Sequence, residues 1–324
     1  MMQIGLIGIA AGAASALLFA SVASGSLLSI PLFYLAPLPI LIAAVGWSHL
    51  AGLIAALVAA TSLALVLGGF FFITFLLGVG LPAWWLGYLA LLARPGADPA
   101  GNALEWYPVG RVVLWAAVLG ALIVSLAMLN IGTDAETLQA NLRSAFERIL
   151  RVPERAPGET RPNLPGLSDP KPLIEFLALV ILPTAAVLST MTNVIGLWLA
   201  GRIVKVSGRL RRPWPDLAAM TFPPAALTLL AVALAASFLP GIAGIVGTIL
   251  TASLLMAYAL LGLAVMHKLS ATLKARGLML GGLYALIAVF GWPILAMALV
   301  GLADSVLDLR GRVAARRGPP TPRT

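Results

Sequence analysis

Asp304 and Asp308 lie four residues apart at the end of an apolar run, and Arg310 follows two residues later. In a helix that spacing puts both carboxyls on one face. A carboxylate within a membrane segment is a candidate functional acid. Beside an arginine it is equally a candidate structural ion pair. A second group, Ser189, Thr190, Thr192 and Asn193, interrupts another apolar stretch. Ser189, Asn193 and Gly196 share a helical face. Hydroxyl and amide groups there serve either a ligand or a neighbouring helix. Glu175 opens the same stretch, where it either meets a cation or is solvated.

Prolines form the third feature. Pro31, Pro37 and Pro39 crowd one uncharged run, and a regular helix cannot accommodate them. Broken backbone at membrane depth is tolerated where it is buried in protein or lines a cavity. Transporters build binding sites from such breaks. Pro37, Pro39, Ser189, Asn193 and Glu175 are therefore the candidate ligand-binding set. The alternative for the prolines is a kinked packing helix.

Enzyme chemistry finds few groups. The chain has no cysteine and two histidines, His49 and His267. That leaves no thiolate metal site and no cysteine nucleophile. His49 falls in a short turn, and His267 opens a basic loop where solvation is expected. Phosphate-loop, zinc-protease and nucleophile-elbow motifs are absent. The expectation is a protein that is not an enzyme, with no cofactor and no metal.

The elements that position these residues follow from composition. Of 324 residues, 60% are hydrophobic and 10% charged, against roughly 25% charged in soluble domains. Mean hydropathy is +1.01, and the first charged residue is Arg94. This is an all-α polytopic transmembrane bundle. About 20 apolar residues cross a bilayer. Spans are predicted at 4–23, 27–46, 50–67, 70–92, 112–130, 173–200, 222–239 and 242–266. The last apolar run, 277–302, is interrupted at Gly291-Trp292-Pro293, which predicts two half-helices over 278–290 and 294–308. The first run ends in a stretch resembling a signal-peptide cleavage site, but no basic region precedes it, so it is read as a retained span. Within it, Gly8 and Gly12 allow close backbone approach, to this chain or to a separate membrane subunit.

Thr133 and Glu136 have the spacing of a capping box. Leu138, Leu142, Phe146, Ile149 and Leu150 follow at helical intervals, predicting an external amphipathic helix. Residues 152–172, rich in proline and charge, read as a linker. The domain organisation is one transmembrane unit over 1–310 and a basic tail over 311–324.

The net charge of +9 is concentrated. Arg202, Lys205, Arg209, Arg211 and Arg212 face only Asp216 in 201–217. Lys268, Lys274 and Arg276 cluster in 267–276, and five arginines lie after Asp304, from Arg310 to Arg323. Basic excess in short loops marks the cytoplasmic side. Both termini are expected inside, and the neutral 131–172 loop outside, in a bacterial cytoplasmic membrane. The basic flanks suit anionic lipid headgroups better than nucleic acid, so membrane lipids are the expected partners.

Several stretches carry a resemblance. Residues 31–39 read PLFYLAPLP, 81–86 read LPAWWL, and 302–310 read LADSVLDLR after Trp292-Pro293. Together they resemble the YybS-like family of bacterial multispanning membrane proteins of unknown function, over roughly 5–312. The resemblance implies a remote relation to substrate-binding S-components of energy-coupling-factor transporters and to the cell-shape protein MreD. S-components have a smaller helix set and lack this external loop. Two functions follow. One is a transporter-like component that binds or moves an unknown small molecule and is energised by a membrane partner subunit. The other is a non-catalytic scaffold of envelope or division machinery. A cavity separates them.

A reporter fused at Gly318 should read out in the cytoplasm. A signal from the opposite side overturns the hairpin at Pro293.

Overall fold

In lipid every backbone polar group must be satisfied within the protein, so long apolar runs become helices. The computed structural model describes residues 2–96, 104–150 and 170–317. Helix α1 (Met2–Ala20) continues as a 3-10 turn to Ser24. The proline-rich run forms α2 (Ser29–Tyr34) and α3 (Pro37–Gly46), followed by α4 (His49–Leu67). Next come α5 (Phe70–Phe75), a π-helical segment (Leu76–Gly80) and α6 (Leu81–Ala90), which form one continuous run. A two-stranded antiparallel ribbon, β1 (Ala93–Pro95) and β2 (Leu104–Trp106), precedes α7 (Val109–Met128). Then follow α8 (Ala135–Ile149), α9 (Lys171–Val206), α10 (Pro224–Ala236) and α11 (Gly241–Leu269). The chain ends in α12 (Arg276–Phe290), α13 (Pro293–Leu307) and α14 (Leu309–Arg317).

Among the described residues, seven segments are long and apolar enough to cross a membrane. They coincide with seven of the eight predicted spans. The eighth, 222–239, is cut down to α10. Pro223 and Pro224 supply no N–H and begin the helix late, and the turn before Pro240 ends it early. Its length of about 20 Å falls short of a hydrocarbon core of about 30 Å. The predicted break before Pro293 is present: Gly291 takes φ +71° and Pro293 starts α13. The β ribbon was not anticipated. It pairs Arg94 with Glu105 across the strands, and an exposed 2.8 Å ion pair joins them. That hydrogen bond raises the Arg94 pKa and lowers that of Glu105.

The amphipathic helix α8 is capped one residue later than expected. Asp134, not Thr133, accepts from the Thr137 N–H at 2.8 Å, which holds its carboxyl below the usual range. Leu138 and Leu142 are buried in a cluster with Leu182 and Ala186 of α9. The helix therefore packs on the bundle rather than lying free. Most of the predicted linker, and the end of the basic tail, lie outside the described residues.

Lipid tails are as apolar as leucine, so helices associate through close packing and internal hydrogen bonds. Glycines make that approach here. Gly8 and Gly12 face Ala51, Ile54, Ala55 and Val58 of α4, so the motif is used within the chain. Gly52 and Gly87 both meet Ala44 of α3. Gly262 of α11 lies against the Met297 carbonyl, and Gly301 of α13 against the Tyr258 carbonyl. At one end of the bundle the 207–223 loop ties several elements together. Arg212 donates to the Ala90 carbonyl at 3.1 Å, and Arg310 to that of Ala218 at 2.9 Å. Arg209 stacks over Trp47 at 4.6 Å, and Lys268 lies 3.7 Å from Asp216. The basic segments of the sequence thus meet at a single end.

Any side chain at Gly262 must displace the α13 backbone, and overpacking of this kind costs about 1–3 kcal/mol. Gly262→Leu should lower the thermal unfolding midpoint in detergent. Gly281→Leu on α12, with nothing within 4 Å of the added Cβ, should leave it unchanged. Equal behaviour of the two variants contradicts the crossing.

Candidate functional site

A cavity of about 570 Å³ opens at the basic end of the bundle. Its body is apolar. Helix α7 contributes Val109, Val112, Val113 and Ala116; α9 contributes Val194, Leu197 and Trp198; α11 contributes Leu260, Leu263 and Ala264. The 207–223 loop closes it with Leu210, Arg212, Trp214 and Met220. Tyr284 and Arg276 of α12 form a further wall, and Val45 of α3 and Ala90 of α6 also line the space. Small residues on α7 and α11 leave this space, and the four contacts of the loop hold its roof.

The polar groups of the lining are cationic or neutral. Arg212, Arg276, His267, Tyr284 and two tryptophans contribute, and among the described residues no carboxylate does. Arg212 is half-buried, and burial alone pushes its pKa down. His267 has its Nδ1 on the Leu263 carbonyl at 2.9 Å, which leaves Nε2 for another partner. It is half-buried beside the Tyr284 ring, which corrects the expectation of a solvated residue. Trp214 carries Lys205 at 5.1 Å and Arg202 at 5.4 Å over its ring. Chemically, such a lining combines apolar contact with hydrogen-bond donors and positive charge.

The residues singled out by the sequence lie elsewhere. Pro37 is buried and Pro39 half-buried in the first turn of α3, and neither lines the cavity. The two helices flanking the break are joined through Leu35 and Ala36, both in helical conformation. The Ser15 hydroxyl of α1 donates to the Ala36 carbonyl. The break is a packing joint. Asn193 is buried with no partner for its Nδ2. It and Ser189 lie outside the lining, although Val194 and Leu197 are in it. Thr190 makes the helix contact instead. Its hydroxyl bonds the Ala186 carbonyl at 2.9 Å and Ser253 of α11 at 3.1 Å, with Gly120 of α7 pressed against it. Glu175 lines a separate cavity of about 200 Å³ at the opposite end, with Arg143 and Pro183.

Asp304 is buried and held by Arg310 through both its oxygens, at 2.7 Å to the guanidinium Nη2 and 3.2 Å from the backbone N–H. Asp308 is exposed at φ +46° and accepts from the Gly311 N–H, starting α14. The two acids thus have different roles, one a clasp and one a cap. Arg212, His267, Arg276 and Tyr284 were not singled out as ligand residues. The available signal was the basic segment 201–217 with Trp214 inside it.

The description of one family, Predicted membrane protein (DUF2232), matches residues 13–305. The chain belongs to this family, which fits the YybS-like resemblance. No curated protein and no solved structure matches it significantly.

Removing one partner of a buried ion pair costs about 3–5 kcal/mol. Asp304→Asn should therefore lower the unfolding midpoint clearly. Asp308→Asn, which tolerates the left-handed conformation and still caps, should be near neutral. A neutral Asp304→Asn contradicts the clasp.

Proposed function

We propose that this member of the DUF2232 family is a non-catalytic, ligand-binding membrane component of the transport class, with the cavity around Arg212 as its site. The single observation that carries the reading is that cavity. Its volume of about 570 Å³ falls in the range of small-molecule sites, about 300–1,000 Å³. A scaffold has no use for an internal space of this size, and filling it with side chains would stabilise the bundle. The chain carries no phosphate-loop motif, so energised movement of a ligand would come from a membrane partner subunit.

The basic end is proposed as cytoplasmic on its arginine and lysine content. This puts the cavity mouth, both chain termini and the 207–223 loop on the inner side of a bacterial cytoplasmic membrane. The α8 helix and the smaller cavity with Glu175 then face outward.

Native mass spectrometry of the protein, extracted gently from its own membrane, tests the reading. A small molecule retained at one per chain is the expected result, and Ala264→Trp, which fills the cavity, should abolish it. A co-purifying membrane protein with no small molecule overturns the reading in favour of the scaffold.

A further inference from the structure

This inference rests on the cavity being a ligand site and concerns what the site accepts. The lining is divided between an apolar body and a cationic mouth. Val112, Val113 and Ala116 of α7 face Leu260 and Ala264 of α11 across the body. At the mouth, Arg212, Arg276 and His267 arrive from three different elements, and no acid joins them.

Arg212 is the group that needs a counter-ion. Its side chain is half-buried and gives one donor to the Ala90 carbonyl. Among the described residues no carboxylate pairs with it. A partly desolvated charge without a partner is costly, and a guanidinium presents further donors in a planar fork suited to oxyanions. The nearby acids are engaged elsewhere. Asp216 accepts from the Ala218 N–H and pairs with Lys268. Asp304 is held by Arg310. Arg202 and Lys205, behind Trp214, add positive potential at the same mouth.

We propose that the cavity binds an amphiphile with one apolar chain and an oxyanion head, the head seated on Arg212, Arg276 and the His267 Nε2. The chain lies against the α7 and α11 walls. A fully soluble anion would leave the apolar body unfilled, and a neutral hydrocarbon would leave Arg212 without its counter-charge.

The test uses the full chain in neutral maltoside micelles with two radiolabelled probes, dodecyl phosphate and dodecanol, in a scintillation proximity assay. The wild type should bind dodecyl phosphate at least about tenfold more tightly than dodecanol, the effect of one charge-assisted hydrogen bond. Arg212→Gln, which retains a donor for Ala90, should lose about tenfold for the phosphate and nothing for dodecanol. Arg276→Gln, at an exposed residue, should shift binding in the same direction and covers the case in which the Arg212 variant fails to fold. Equal binding of the two probes, unaffected by either variant, overturns the oxyanion proposal and leaves the ligand-site reading standing. Binding of neither probe by stably folded wild type overturns both. Displacement of the label by phosphatidylglycerol supports the proposal with a bilayer lipid as the source. Displacement by single-chain phosphates alone supports it with a free amphiphile as the source.

Discussion

The contact between Gly262 and Gly301 sets the position of everything at the basic end. With no side chain at either residue, α11 and α13 meet backbone to backbone. That closeness is what makes a short helix adhere in a solvent that offers no hydrophobic drive. Helix α13 thereby delivers Asp304 and Arg310 to the 207–223 loop, where Arg310 reaches the Ala218 carbonyl. The loop roofs the cavity. A glycine pair in the later turns of α11 and α13 thus helps to set the shape of the space beside them.

The same constraint explains how polar groups are distributed. Some hydroxyls at depth are satisfied locally or across a tight junction, as Thr190 and Ser253 are on the Ala186 carbonyl, whereas those of Thr251 and Tyr258 find no partner among the described residues. The exception among the deep amides is Asn193, whose Nδ2 finds no partner. Charges are kept to the ends, and the one deeply buried carboxylate is enclosed by an arginine. Against this economy, Arg212 stands out as a half-buried cation with a backbone carbonyl for company and no acid.

Helix existence was legible in the sequence, because hydropathy and bilayer thickness act on each segment by itself. The break at Gly291-Trp292-Pro293 was equally legible, since a missing N–H is a local fact. The length of α10 was not, because prolines at its start trim a run that composition alone would extend. The site was mostly illegible. Proline crowding at 31–39 pointed to a cavity, yet the break is occupied by Ser15, a residue of α1 that no local rule links to it. The cavity groups come from α3, α6, α7, α9, α11, α12 and a loop, and only the fold brings them together. Asp304 and Arg310 were within reach of a sequence argument because they are neighbours in the chain, and they do pair.

The turn between α12 and α13 has a consequence for how the cavity is enclosed. Each of these helices has 15 residues, about 22 Å, too short to cross a bilayer alone. None of the residues of α12 is buried, whereas α13 packs closely on α11 through Gly262 and Gly301. The two therefore form a hairpin that reaches only part of the way across a bilayer. The turn at Gly291-Trp292 carries no charge, while Arg276 and Arg310 lie at the other end of the hairpin, beside the 207–223 loop. Helix α12 nonetheless supplies Arg276 and Tyr284 to the cavity, so one wall of that space is the part least enclosed by the bundle.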